Sequence, residues 1–175
     1  MQNPDVVILG DSHQSGGTGL AGRARSAVDA AERVLHVGDF TTADALMAYR
    51  EVSTRLEAVH GNSDSPAVTE QLPAERRVEL KGLRVVMTHR HQGGPTALDM
   101  WARAAGADLV VWGHEHRYRV IDADDVVLLN PGSHADPRGE PPTHVEFQRR
   151  PSGLEGHVVT QEGDRLEAVA VPGPG

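Results

Sequence analysis

Apolar residues come first in short unbroken runs and later in alternation, and the change of period divides the chain. Val6, Val7, Ile8 and Leu9 stand together between Pro4 and Gly10. Such a run predicts a strand buried on both faces, of the parallel kind. Residues 33–38 (RVLHVG) and 56–60 predict two more strands. Between them, residues 20–31 place Ala21, Ala24, Val28 and Ala31 on one helical face. Thr42 is suited to cap a helix running to about Val52, with Ala45, Leu46 and Tyr49 inward. Ser65 followed by Pro66 predicts the start of a short helix.

After that the period becomes two. Residues 76–81 alternate, turn at Gly82 and return over 83–87, which predicts a hairpin. A helix is expected over 95–105, closed by Gly106, and then a buried strand over 108–112. Residues 119–121 and 126–129 pair around the turn 122–125. Residues 143–148, 154–160 and 165–171 predict antiparallel strands with turns at 151–153 and 162–164. The first half therefore reads βαβαβ and the second mostly as hairpins. The expected fold class is α/β: a two-sheet β-sandwich flanked by helices, as one domain over 1–175 with a disordered tail from residue 170.

Composition narrows the chemistry. The 175 residues include ten histidines and no cysteine, which excludes disulfides and thiolate metal sites. The formal net charge of −8 opposes non-specific attraction to nucleic acid or anionic membrane. No apolar stretch approaches the roughly 20 residues of a membrane span. No signal peptide is visible, so a cytoplasmic location is expected.

The candidate chemistry sits at the ends of the buried strands. The first ends in Asp11 and His13, the second in Asp39 and the third in Asn62. The strand after the hairpin delivers His89 and His91, and the next one His114 and His116. Carboxylate, imidazole and amide donors suit hard or borderline divalent cations such as Mn²⁺, Fe²⁺, Ni²⁺ or Zn²⁺. Two cations about 3.5–4 Å apart need a bridging ligand, a role that suits the lone carboxylate of Asp39. Such a pair lowers the pKa of a water and clamps both oxygens of an in-line displacement at phosphorus.

In order, D-x-H, G-D, G-N-x-D, H-x-H and G-H-x-H resemble the motifs of the calcineurin-like metallophosphoesterases. The length, the segment Asn130, Pro131, Gly132, Ser133, and Pro137 with Arg138 resemble the small prokaryotic phosphodiesterases of the YfcE type, related to the Vps29 scaffold proteins. The resemblance covers residues 4–148. It implies a four-layer αββα fold and two divalent metal ions, Mn first, with Ni, Fe or Zn as alternatives. One ion would be held by Asp11, His13 and His116, the other by Asn62, His89 and His114, with Asp39 bridging. Asn62 would also touch a phosphate oxygen. His91 would face the substrate and protonate the leaving alkoxide. Arg138 either binds the phosphate or pairs with a surface carboxylate. The implied activity is phosphodiester hydrolysis by metal-activated hydroxide. A phosphomonoesterase or nucleotidase, or a Vps29-like binding scaffold, are the alternatives. The implied partner is a small phosphoester; there is no membrane or strong nucleic-acid signal, and a homo-oligomer is compatible with the sequence.

Three positions depart from the family pattern. Ser63 stands where many relatives have a proton-donating histidine, which leaves Asp64 only the cap of the next helix. Arg90 replaces a glycine between the two histidines and adds positive charge at the pocket edge. Glu115 replaces a threonine and adds negative charge near the metals.

Other features read more plainly. Gly17, Gly19 and Gly22 match G-x-G-x-x-G, but Asp11 to Gly16 separate them from the strand end, so they read as a flexible helix entry rather than a dinucleotide site. His36 reads as a hydrogen-bonded core histidine. His60 is open either way, and His134 reads equally as pocket lining or surface. His144 and His157 read as surface residues, Trp101 as helix packing and Trp112 as core.

Overall fold

The computed structural model describes residues 3–173. In chain order the elements are β1 (Val6–Leu9), α1 (Gly22–Ala30), β2 (Arg33–His36), α2 (Ala43–Val52), β3 (Leu56–Ala58), α3 (Pro66–Thr69), β4 (Glu75–Leu80), β5 (Leu83–Thr88), α4 (Gly94–Ala105), β6 (Leu109–Val111), β7 (Tyr118–Ala123), β8 (Val126–Pro131), β9 (Thr143–Arg150), β10 (Gly153–Thr160) and β11 (Arg165–Pro172).

They build two mixed sheets. The first has six strands in the order β11-β10-β9-β1-β2-β3, and the second five in the order β4-β5-β6-β8-β7. β1, β2 and β3 run parallel, with the unbroken apolar run of β1 in the middle of the sheet. On the other edge of β1, β9 joins antiparallel with Ile8 opposite Val145. In the second sheet, β5, β6 and β8 are parallel, and the β4–β5 hairpin turns through Lys81 and Gly82, both at positive φ.

Period-two alternation sorts the side chains of each strand between layers. Val6 and Ile8 pack between the sheets with Leu35, Val37, Met87, Val111 and Leu129. Val7 and Leu9 point the other way, onto Val28, Leu46 and Tyr49 of the helices. Leu98 and Ala102 of α4 cover Val86, Val110 and Leu128 of the second sheet. The layers are thus helix, sheet, sheet, helix, as expected. No helix among the described residues is long and apolar enough to cross a membrane.

Helix ends follow the local chemistry. Thr42 Oγ1 accepts from the Ala45 N–H at 3.1 Å, and Gly106 closes α4 in the left-handed conformation. Ser65 stands at the N-cap of α3 but its side chain makes no capping bond.

Three expectations are corrected. The tail does not begin at residue 170: Val171 pairs with Leu154 and is buried in the intersheet core, so β11 continues to Pro172. Residues 174 and 175 lie outside the described part. His144 is not a surface residue. It is fully buried and its Nε2 donates to Glu146 Oε1 at 2.9 Å, a carboxylate that Arg23 of α1 also reaches. His134 is buried too, with Nε2 2.7 Å from Tyr49 Oη.

Candidate metal centre

All of the expected ligands gather at the C-terminal ends of β1, β2, β5 and β6 and in the loops that follow β3 and β6, where an open α/β sheet binds ligands. One ligand atom from each of Asp11, His13, Asp39 and His116 lies within 4.8 Å of the others. Asp39 Oδ2 stands 3.0 Å from His13 Nε2 and 3.2 Å from His89 Nε2. On the far side, Asn62 Oδ1 lies 3.0 Å from His89 Nε2 and 2.8 Å from His114 Nδ1. Asp11 Oδ1 is 3.8 Å from His116 Nε2 and 3.9 Å from His89 Nε2. The seven residues therefore form two groups that meet at Asp39.

The loops carrying them are bent into an unusual conformation. Asp11, His13, Asp39, His114 and His116 all have positive φ, between 46° and 76°. Side chains with a Cβ rarely adopt it, and such strain persists only where surroundings over-determine it. Here the restraints are visible. Both oxygens of Asp11 accept from the His114 N–H, at 3.0 and 2.9 Å. Asp39 Oδ1 accepts from the Ser63 N–H at 2.9 Å. Gly61 lets the chain pass so near Asp39 that a Cβ there would lie 2.1 Å from Oδ1.

Backbone carbonyls hold the imidazoles. His89 Nδ1 faces Val37 O at 2.7 Å and His116 Nδ1 faces Asp136 O at 2.5 Å, which turns each Nε2 toward the carboxylates. His13 Nε2 is buried and has no hydrogen-bond partner, although Asp39 Oδ2 is 3.0 Å away. Two donor atoms that approach without sharing a proton, both out of water, suit a common cation.

Electrostatics agree with that demand. Burial pushes the Asp11 carboxyl up to about 7, and the nearby charge of Asp39 adds to the rise. Burial also opposes the charge on Asp39, but the His89 hydrogen bond and charge outweigh it and hold that carboxyl well below the usual range. The same pairing raises His89 despite its burial. Burial lowers His114 and His116. Two buried acidic side chains thus depend on nearby positive charge, and the donor set fits divalent cations.

The other expected site residues lie at the rim. His91 is half-buried, its Nδ1 directed at Gln92 O at 2.8 Å, and its ring leans on Trp101 with centroids 5.7 Å apart. Trp101 itself packs against the α4 core, as expected. Arg138 is exposed and its Nε donates to Asp136 Oδ2 at 3.2 Å. Arg90 is exposed, and its charge contributes to lowering His114. Glu115 accepts from Trp112 Nε1 at 3.1 Å and pairs with Arg119.

Sequence reasoning missed several supporting groups. Asp64 is not merely a helix cap. Its carboxylate accepts from the N–H groups of Asp39, Thr41 and Gly61, at 3.1, 2.6 and 2.7 Å. Beneath the first loop, Ser12 Oγ contacts His36 Nε2 at 2.5 Å and Tyr49 Oη at 3.0 Å. His36 is indeed a hydrogen-bonded core residue, and burial drives its pKa well below the ordinary value. Ser12 lies between two candidate ligands, which was the available signal for its part.

Comparison with known proteins agrees with this geometry. Residues 5–148 match the family model described as "Calcineurin-like phosphoesterase superfamily domain". A protein from Methanothermobacter thermautotrophicus named "Probable metallophosphoesterase" is 35% identical over 131 residues, covering 73% of this chain and 75% of that protein. A protein from Methanocaldococcus jannaschii named as a phosphodiesterase is 27% identical over 112 residues, covering 58% of this chain and 66% of that one. In fold, the crystal structure of Vps29 from Chaetomium thermophilum superposes with a TM-score of 0.79 at 19% identity, over 97% of this chain and 98% of that one.

Proposed function

The chain belongs to the calcineurin-like phosphoesterase superfamily, and from that premise we propose that it is a two-metal phosphodiesterase. The observation that carries the reading is the place of Asp39 Oδ2, within 3.2 Å of imidazole nitrogens from both groups of ligands. A carboxylate so placed suits a bridge between neighbouring cations.

We assign one divalent ion to Asp11, His13 and His116 and the other to Asn62, His89 and His114, with Asp39 shared and Mn²⁺ the first candidate. When bound, such a pair supplies hydroxide near neutral pH and positive charge for the phosphoryl oxygens. The chain's own residues do the rest. The buried carboxylates of Asp11 and Asp39 fix the charge and spacing of the centre. The Val37 and Asp136 carbonyls orient His89 and His116. Asn62 at the opening offers its amide to a phosphate oxygen. With Nδ1–H donating to Gln92 O, His91 presents Nε2 to the leaving alkoxide and, as the imidazolium, gives it the Nε2 proton. Arg90 and Arg138 at the rim attract the anionic substrate to a protein of net charge −8.

A second reading has one observation in its favour. The fold matches Vps29 along almost the whole chain, so the same architecture could serve as a binding scaffold. The complete donor set favours the enzyme. The test is an assay of the chain, stripped and reloaded with Mn²⁺, Ni²⁺, Fe²⁺ or Zn²⁺, on a panel of phosphodiesters and phosphomonoesters. Metal-dependent turnover favouring diesters is expected. A monoester preference points to the phosphomonoesterase or nucleotidase alternative. A chain that takes up metal and hydrolyses neither class, or that binds none, overturns the proposal.

A further inference from the structure

A chain of buried hydrogen bonds runs under the first ligand loop, and its proton positions follow from its neighbours. The Gly38 N–H donates to His36 Nδ1 at 3.1 Å, so the imidazole proton sits on Nε2. That proton is donated to Ser12 Oγ at 2.5 Å. The Ser12 hydroxyl then donates to Tyr49 Oη at 3.0 Å, and Tyr49 donates to the Thr18 carbonyl at 2.6 Å. His134 Nε2–H completes the set, donating to Tyr49 Oη at 2.7 Å and lying 3.2 Å from Thr18 O. Its Nδ1 is buried without a partner, which agrees with a lone pair at that atom. Ser12, His36, Tyr49 and His134 are all buried, so no water competes for these bonds.

The network reaches one group of ligands most directly. Ser12 lies between Asp11 and His13, both at positive φ. Next to His134, Ser133 Oγ donates to the Asp11 carbonyl at 2.7 Å and accepts from the Asp136 N–H at 2.8 Å, and Asp136 in turn holds His116. Asn62, His89 and His114 are joined to the network at one remove: the Val37 carbonyl, next to His36, holds His89, the His114 N–H donates to Asp11, and Asn62 Oδ1 lies against both imidazoles.

We propose that Tyr49 and His134 are positioning residues for the Asp11, His13 and His116 half of the centre, acting through the Ser12 hydroxyl. This rests on the two-cation reading above. The test is calorimetric titration of Mn²⁺ into the metal-free full chain, for wild type, Tyr49→Phe, Ser12→Ala and the double variant. The expected result is that Tyr49→Phe weakens one of two binding steps about 10-fold and the other distinctly less. In the Ser12→Ala background the same substitution adds nothing, because the path through the hydroxyl is already cut. A general loosening of the core weakens both steps alike or adds to Ser12→Ala; either result, or two unchanged steps, overturns the inference. If Tyr49→Phe does not fold, His134→Ala removes the donor to Tyr49 and carries the same comparison. A wild type that binds no Mn²⁺ overturns the two-cation reading itself, and is recognised before any variant is compared.

Discussion

The carboxylate of Asp64 holds the backbone of Asp39: its Oδ2 accepts from the Asp39 N–H at 3.1 Å, and the same oxygen accepts from Gly61. The other oxygen accepts from Thr41, a β-branched residue at φ 80°. One side chain thus ties the loop after β2 to the loop after β3 and fixes the turn that presents the bridging candidate. Asp64→Ala is expected to leave three N–H groups unsatisfied in a strained loop. Its folding stability should fall by about 2–4 kcal/mol, and its metal affinity by about 10–100-fold. Chemical denaturation and metal titration measure the two effects. Unchanged affinity at reduced stability would assign Asp64 to folding alone.

Asp39→Ala removes the meeting point of the two groups, whereas His114→Ala removes a ligand from one. Both should lower phosphodiester turnover by about 10³-fold or more, since each metal supplies several kcal/mol to such a transition state. They differ in metal content. His114→Ala should retain one ion per chain and Asp39→Ala should hold both weakly, as elemental analysis after desalting would read. In wild type, chelation should abolish activity and added Mn²⁺ restore it.

The order of the ligands was legible because each follows a short apolar run, and strand ends in an open sheet converge. Val6 to Leu9 announces where Asp11 and His13 must lie. Supports were harder to read because they come from distant or local partners that pattern does not reveal. His144 shares Glu146 with Arg23, which comes from a segment over a hundred residues earlier, a partner that the local pattern does not show. Positive φ at Asp11 and Asp39 has no sequence mark, since glycine, the usual sign of that conformation, is absent from both positions. Asp64 reads in the sequence only as a cap, because Ser63 replaces the histidine it would orient; its real partners are backbone groups of two loops.

Glu146 offers a test of stability away from the centre. Burial raises its cost, but the hydrogen bonds from His144 and Arg23 outweigh it and bring its carboxyl down to about 2 from an ordinary 4.5. The folded pKa lies below the unfolded one, so the ion contributes fully above about pH 4.5 and its contribution is lost as pH falls toward about 2. Glu146→Gln keeps the shape and removes the charge. At neutral pH it should destabilise the chain by about 2–3 kcal/mol. The difference from wild type should shrink steadily in denaturation curves taken from pH 5 down to about pH 3. A gap that stays constant over that window would place the effect in packing instead.

His91 should show itself through the leaving group. Its Nδ1–H is engaged with the Gln92 carbonyl and its ring rests on Trp101, so the proton it can give is the Nε2 proton of the imidazolium. An alkoxide of high pKa needs that proton as the ester bond breaks, whereas a nitrophenolate departs without it. His91→Ala should therefore lower kcat for alkyl phosphodiesters by about 10²-fold or more while changing nitrophenyl diesters little. Metal stoichiometry should stay at the wild-type value, because His91 belongs to neither group of ligands. Equal loss on both substrate types would mean that His91 binds the phosphate or shapes the rim, and the proton would then have to come from solvent.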